Sequence, residues 1–231
     1  MYDDNAYYAY PRIEQQRAAL LRSTTVLQQT DYGTGAGSSS PQTVTRSVAD
    51  IARTHLESPK VGQLLFRLVN HLTSVRQQPL TIVELGTSLG ITTAYLASPS
   101  PKNVVQTYEG AEEVLDVAMN VWRTLGLTNI EPVPGNIDRT LAGHQPHSVD
   151  MAYIDANHTT EATLRYFRQL LGAVKQHSIV VVDDIHHSPQ MEQAWQAIQQ
   201  TQQVTSTIDC YDVGLVFFNK HYIRKHYKMR I

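Results

Sequence analysis

Leu80-Thr-Ile-Val-Glu-Leu-Gly-Thr-Ser-Leu-Gly-Ile-Thr-Thr93 decides how this chain folds. Leu80 to Leu85 is a short apolar run halted at Gly86, and Ile91 to Ala97 resumes at helical spacing, so the segment reads as strand, glycine turn and helix. The same unit recurs downstream. Strands are expected at Asn103–Tyr108, Ile130–Pro134, Val149–Ile154 and Ser178–Val182, and helices at Ala111–Leu125, Thr160–Val174 and Pro189–Gln200. Upstream, Leu64, Leu65, Leu68, Val69 and Leu72 mark one face of a helix over Val61–Val75. Ile179-Val-Val-Val182 shows no polar alternation, as in a strand covered on both faces of a parallel sheet. Two final strands, Ser206–Tyr211 and Gly214–Asn219, have no helix between them and form a hairpin through Asp212-Val213. The expected fold is α/β: a doubly wound, seven-stranded, mostly parallel sheet ending in an antiparallel hairpin.

Residues 61–231 make up this domain, and residues 1–60 are expected to add an N-terminal helical extension. Ile13, Leu20, Leu21 and Leu27 give a near-helical spacing over Tyr10–Gln29. The Gly33-Thr-Gly-Ala-Gly-Ser-Ser-Ser-Pro41 run opposes helix and strand alike, so residues 31–45 are expected to form a mobile loop, either a lid over the acceptor or a solvated linker. The tyrosines at 2, 7, 8, 10 and 32 either stack on an aromatic acceptor or pack the N-terminal helix, and packing is the simpler use.

Nineteen Lys and Arg against twenty-one Asp and Glu leave a net charge of −2, which supplies no general field for a nucleic acid or an anionic membrane. No apolar run approaches the ~18 residues of a membrane span. The start Met1-Tyr-Asp-Asp-Asn5 is acidic and lacks a basic, then apolar, leader. Cys210 stands alone and has no partner for an internal disulfide, which fits a cytoplasmic location. Lys220, Arg224, Lys225, Lys228 and Arg230 alternate with Tyr222, Ile223, Tyr227, Met229 and Ile231. That pattern suggests packing against the body or against a second copy in a homodimer.

Open parallel sheets gather ligands outside the carboxyl ends of their strands. Glu84-Leu-Gly-Thr-Ser-Leu-Gly90 follows the first strand and Glu109 the second, 23 residues after Gly86. An acid in that place accepts both hydroxyls of a ribose. The spacing departs from Gly-x-Gly-x-x-Gly, so a nucleoside without a pyrophosphate fits better. Gly135-Asn-Ile-Asp138, Asp155-Ala-Asn-His158 and Asp183-Asp-Ile-His-His187 follow the next three strands.

These residues resemble the class I S-adenosylmethionine-dependent methyltransferases, closest to the O-methyltransferases of the catechol and caffeoyl-CoA type. Val83-Glu-Leu-Gly-Thr-Ser-Leu-Gly-Ile-Thr-Thr93 is similar to their first motif and Thr107-Tyr-Glu-Gly110 to their acidic second one. Asp150-Met-Ala-Tyr-Ile-Asp155 and Val180-Val-Val-Asp-Asp184 resemble the two strand ends that carry metal ligands. The resemblance covers roughly residues 60–219. It implies that Glu84, Gly86, Ser88 and Gly90 line the methionine end of S-adenosyl-L-methionine, that Glu109 holds the ribose, and that Asn136 and Ile137 neighbour the adenine. It further implies that Asp155, Asp183 and Asp184 hold Mg2+ or another divalent cation, and that His158 stands where the relatives place a lysine base. Asp184 replaces the asparagine usual in metal-using relatives.

Three carboxylates at adjacent strand tips repel one another unless a cation or a shared proton intervenes. A hard cation with open water positions would also accept a hydroxyl-bearing substrate. His158, titrating near neutral pH, suits proton abstraction beside Asp155. His158, His186 and His187 together admit zinc, but oxygen ligands dominate the cluster and favour a magnesium-like ion. The expected activity is O-methylation of a small hydroxylated acceptor, yielding S-adenosyl-L-homocysteine. A metal-independent enzyme acting on nitrogen, RNA or protein, and a non-catalytic cofactor-binding protein, remain the alternatives.

Overall fold

The computed structural model describes residues 7–31, 42–144, 147–221 and 223–230. The Gly33–Pro41 run, Tyr2, Tyr32, Tyr222 and Ile231 lie outside them. In chain order the elements are α1 (Ala9–Leu21), β1 (Val26–Asp31), β2 (Gln42–Ser47), α2 (Val48–His55), α3 (Pro59–Arg76), β3 (Thr81–Leu85), α4 (Ile91–Ala97), β4 (Val104–Glu109), α5 (Glu112–Leu125), β5 (Ile130–Pro134), α6 (Ile137–His144), β6 (Val149–Ile154), α7 (Thr160–Leu170), β7 (Val174–Asp183), α8 (Pro189–Gln200), β8 (Ser206–Asp209), β9 (Val213–Phe217) and β10 (Lys225–Lys228).

Local chemistry explains the helix starts. Ser58, Thr159 and Ser188 each accept a backbone N–H three residues on, from Val61, Ala162 and Met191, and proline follows Ser58 and Ser188 at the first helical position. Gly126 ends α5 in the left-handed conformation at φ 74°.

The main sheet runs β10-β8-β9-β7-β6-β3-β4-β5. β3 pairs in parallel with β4 on one side and β6 on the other, and β6 pairs in parallel with β7. From β3 the chain winds outward through β4 and β5, then returns across β3 to continue from β6. The order therefore reverses between β3 and β6, and a crevice opens at their carboxyl ends. β9 runs antiparallel to both β7 and β8. Tyr166 and Phe167 of α7 and Trp195 of α8 share a buried cluster with Val180 and Val182, while Leu65 and Val69 of α3 share another with Ile82 and Val181. Alternate residues of β7 thus enter two different cores, which is why no polar residue interrupts Ile179–Val182.

The α/β reading and the terminal hairpin hold, with several corrections. The sheet has eight strands where seven were expected. The basic C-terminal end supplies the extra one, β10, parallel to β8 with all four residues exposed. Its exposed Lys225 and Lys228 suit an edge strand. The N-terminal helix stops at Leu21, and β1 and β2 form an antiparallel ribbon from Val26↔Ser47 to Asp31↔Gln42, so residues 42–45 are strand rather than loop. Backbone pairing across the ribbon outweighs the weak helical spacing that Leu27 seemed to extend. α6 was not anticipated, since its eight residues bury only Leu141. α7 ends at Leu170, and Val174 already belongs to β7. Tyr7 and Tyr10 pack on Phe66 with ring centroids 4.8 Å and 5.1 Å away, which is the packing use of those tyrosines. Among the described residues no helix is long and apolar enough to cross a membrane.

Candidate active site

A cleft of about 1110 Å³ opens at the carboxyl ends of β3, β4, β5, β6 and β7. Gly86, Ser88, Glu109, Asn136, Ile137, Asp155, His158, Asp183 and Asp184, gathered from five strand ends, all line it. The ribbon adds Arg46, the end of α2 His55, and the α2–α3 connection Glu57.

On the β3–β4 side the acid is held by backbone. Glu109 Oε2 accepts the Ser88 N–H at 2.8 Å and Oε1 the Ala111 N–H at 3.0 Å, so the carboxylate ties the glycine turn to the start of α5. Burial raises its pKa, and these backbone donors oppose the rise. Its remaining lone pairs are free for a ligand's hydroxyls. Asn136 Oδ1 accepts the Asp138 N–H at 2.9 Å and so starts α6. Ile137 follows it at the cleft wall.

Two of the residues expected there are placed elsewhere. Gly90 is absent from the cleft lining: an added Cβ would stand 2.5 Å from Trp122 Nε1, whose N–H donates to the Gly90 carbonyl at 2.9 Å. Its φ of 78° and this close packing account for the glycine without a ligand. Glu84 is fully buried. Its Oε2 accepts the hydroxyls of Thr93 at 2.5 Å and Thr107 at 2.6 Å, while Oε1 is buried without a hydrogen-bond partner. Burial drives its pKa up to about 8, against the pull of the two threonines. A carboxyl raised in the folded state binds its proton there while the unfolded chain has already released it, so its stabilising effect is full below about pH 4.5 and lost as pH rises towards 8. Glu84→Gln should therefore flatten the fall in stability between pH 5 and pH 8. Urea midpoints of the two proteins should differ more at pH 8 than at pH 5; a gap independent of pH would refute the assignment.

On the β6–β7 side ionisable groups crowd together. Asp155 and Asp183 end adjacent strands, and the Asp155 N–H donates to the Leu85 carbonyl at 2.9 Å. His158 Nε2 lies 3.1 Å from Asp155 Oδ1 and 3.5 Å from Asp184 Oδ2. Burial disfavours the imidazolium, but Asp155, Asp184 and Glu57 outweigh it and raise the His158 pKa. Asp183 is 4% exposed, and its Oδ1 has no hydrogen-bond partner. Burial, Asp155 and Glu57 push its pKa well up. Tyr153, fully buried, has a phenol raised by burial and by the same acids.

One group of donor atoms among the described residues meets the distance requirement of a cation: those of Asp155, His158 and Asp183, all within 4.8 Å of one another. This differs from the expected trio. Asp184 takes a left-handed φ of 53°, and its Oδ2 faces His158 and, at 3.9 Å, His187 Nδ1. Of the three histidines, His158 and His187 stay together at the cleft, with ring centroids 6.3 Å apart. His186 leaves the site, with Nε2 3.0 Å from Asp209 Oδ2 and Nδ1 3.3 Å from Glu192 Oε1.

Glu57 is the cleft residue that the sequence did not reveal. Burial together with Asp155 and Asp184 raises its pKa, and the neighbouring Asp183 and the Ser58 N–H oppose the rise. Glu57 lies 27 residues before Glu84 and belongs to no recognisable spacing, so only the fold brings it there.

Residues 83–185 match the family model described as a methyltransferase domain. That segment is similar to a methyltransferase domain, and the chain has the fold of solved S-adenosylmethionine-dependent methyltransferases. Solved structures of similar fold include the O-methyltransferase from Bacillus cereus in complex with SAH, at 18% identity and a TM-score of 0.64, covering 93% of each chain. The O-methyltransferase TomG from Streptomyces achromogenes, in complex with SAM, is 18% identical with a TM-score of 0.63, covering 93% of this chain and 91% of its own. The methyltransferase PaMTH1 of Podospora anserina, bound to SAH, is 13% identical with a TM-score of 0.66, covering 92% and 88%. No curated protein matches the sequence.

Proposed function

We propose that this methyltransferase transfers the sulfonium methyl of S-adenosylmethionine to a hydroxyl of a small acceptor, with a divalent cation at Asp155 and Asp183. One observation carries the reading: a backbone-anchored acid suited to a ribose, Glu109, and a cluster of metal-ligating side chains line the same cleft on opposite sides of the sheet's switch point. The cleft's size suits a nucleoside cofactor together with a small molecule. Five acids on its wall, Glu57, Glu109, Asp155, Asp183 and Asp184, disfavour a polyanion such as RNA.

The residues fit a cation because Asp183 Oδ1 is buried without a hydrogen-bond partner beside Asp155 and Glu57, a crowding of acids that a cation relieves. A bound cation would lower the pKa of an acceptor hydroxyl and orient it. Glu109 would hold the ribose and the wall at Asn136 and Ile137 the adenine, which fixes the sulfonium relative to the β6–β7 side. S-adenosylmethionine held there would offer its methyl carbon in line to the acceptor oxygen, the carbon–sulfur bond breaking to leave the neutral thioether of S-adenosylhomocysteine. The hydroxyl proton passes to the carboxylates and imidazoles of the cluster. Alignment supplies much of the rate.

Calorimetric titration with S-adenosylmethionine and S-adenosylhomocysteine, followed by transfer of a labelled methyl group to a panel of aromatic vicinal diols, tests the reading. Binding of both and label on oxygen are expected. Lack of affinity for either compound overturns it, and binding without transfer to any acceptor would leave a cofactor-binding protein instead.

A further inference from the structure

We propose that His158 is itself a metal ligand, and that Asp155, His158 and Asp183 form a two-carboxylate, one-imidazole site selecting a first-row transition ion such as Zn2+ or Co2+ over Mg2+. The inference rests on the cation reading above and departs from the all-carboxylate set expected from sequence.

Geometry carries it. The three donor atoms lie within 4.8 Å of one another, and Asp184 is not among them. Donors about 2.1 Å from a shared tetrahedral ion stand about 3.4 Å apart, so closing a group spread over 4.8 Å requires side-chain movement of up to about 1.4 Å, within the reach of rotamer adjustment. The imidazole is already placed for this. Asn157 takes a left-handed φ of 47° directly after the strand end, its Nδ2 donates to the Tyr166 hydroxyl at 2.9 Å, and Thr159 caps α7 through the Ala162 N–H. His158 is thus pinned between a strand end and a helix start, with Nε2 turned onto Asp155 at 3.1 Å. The second sign of a ligand is Asp183, 4% exposed, with its Oδ1 unpaired.

Chemistry sets the choice of ion. Mg2+ favours oxygen donors and retained waters, whereas imidazole suits zinc, cobalt, nickel and iron. One nitrogen in three protein donors shifts the preference towards the latter group. As a ligand His158 would keep its ring nitrogen free of a proton, and Asp184 and His187, facing each other at the rim, would be left to accept the acceptor's proton.

The test uses the full-length protein stripped of metal. Co2+ is titrated by its visible absorption, Zn2+ and Mg2+ by competition, and S-adenosylhomocysteine affinity is measured in parallel. We expect Co2+ to bind at least about 100-fold more tightly than Mg2+, and His158→Ala to weaken Co2+ by about 10–100-fold while Mg2+ and S-adenosylhomocysteine affinities change less than about threefold. In the wild-type protein, a hyperfine-shifted imidazole proton in the Co2+ NMR spectrum should report nitrogen ligation even if the variant fails to fold. Comparable Co2+ and Mg2+ affinities, equal losses of both in the variant, absence of the shifted imidazole signal, or no metal binding at all would each overturn the proposal. Failure to bind S-adenosylhomocysteine would instead strike the methyl-transfer reading, so the two failures are separable.

Discussion

Gly86→Ala should lower the melting temperature by about 6–12 °C, corresponding to roughly 3 kcal/mol or more, and should abolish cofactor binding. At this position φ is 100°, and an added Cβ would stand 2.0 Å from the Asp155 carbonyl oxygen and 2.8 Å from its carbonyl carbon. Those are backbone atoms of the adjoining strand end, so no rotamer change relieves the clash. The Gly86 N–H also donates to the Tyr108 carbonyl at 3.0 Å, and the Asp155 N–H to Leu85, which locks three strand ends together at the switch point. Relief would require β6 to move away from β3, carrying Asp155 with it. The glycine is therefore used for contact between strands, and the cleft takes its shape from that contact. Calorimetric melting and S-adenosylhomocysteine titration check the expectation. A variant as stable as the parent with full affinity would show that the strand ends yield freely.

Glu109→Ala should weaken S-adenosylhomocysteine by about 100-fold or more, since hydrogen bonds to a charged group contribute about 1.5–3 kcal/mol each and a ribose offers two hydroxyls. Part of that loss would come from the turn, because Ser88 N–H and Ala111 N–H lose their acceptor. Comparing adenosine with adenine separates the two. The parent protein should favour adenosine, and the variant should lose most of that preference while still tolerating adenine. Glu109→Gln, a neutral acceptor of the same shape, should fall between. If the preference for adenosine over adenine is the same in all three proteins, the carboxylate does not contact the sugar.

The strands facing two cores announced themselves. Ile179–Val182 had to be buried on both sides, and Gly86 and Glu109, one strand apart, sit where a parallel sheet collects ligands. That much follows from local apolar runs and the rule for strand ends, which require no knowledge of long-range packing. The same rule brought Asn136, Asp155 and Asp183 to the cleft. It did not distinguish Gly90, whose partner Trp122 lies 32 residues away, nor Glu84, whose side chain points into the protein.

The N-terminal ribbon and β10 escaped because their pairing partners decide them: residues 42–45 and 225–228 are polar and indifferent until a neighbouring strand takes up their N–H and C=O groups. The composition of the acidic cluster was likewise a tertiary matter. Sequence placed Asp155, Asp183 and Asp184 at strand ends, but the direction of each side chain depends on the backbone turn that follows. The left-handed Asp184 turns to the rim, while the left-handed Asn157 sets His158 against Asp155. Glu57 joins only because α2 packs on α1 and its helical neighbours while α3 packs on the sheet, which brings their connection over the strand ends. Sequence alone determined the parallel α/β core and the strand ends that build the cleft, because both follow from burial along contiguous residues. The tertiary structure alone decided which side chains meet there, because close approach of distant groups is set by packing and turn geometry rather than by spacing along the chain.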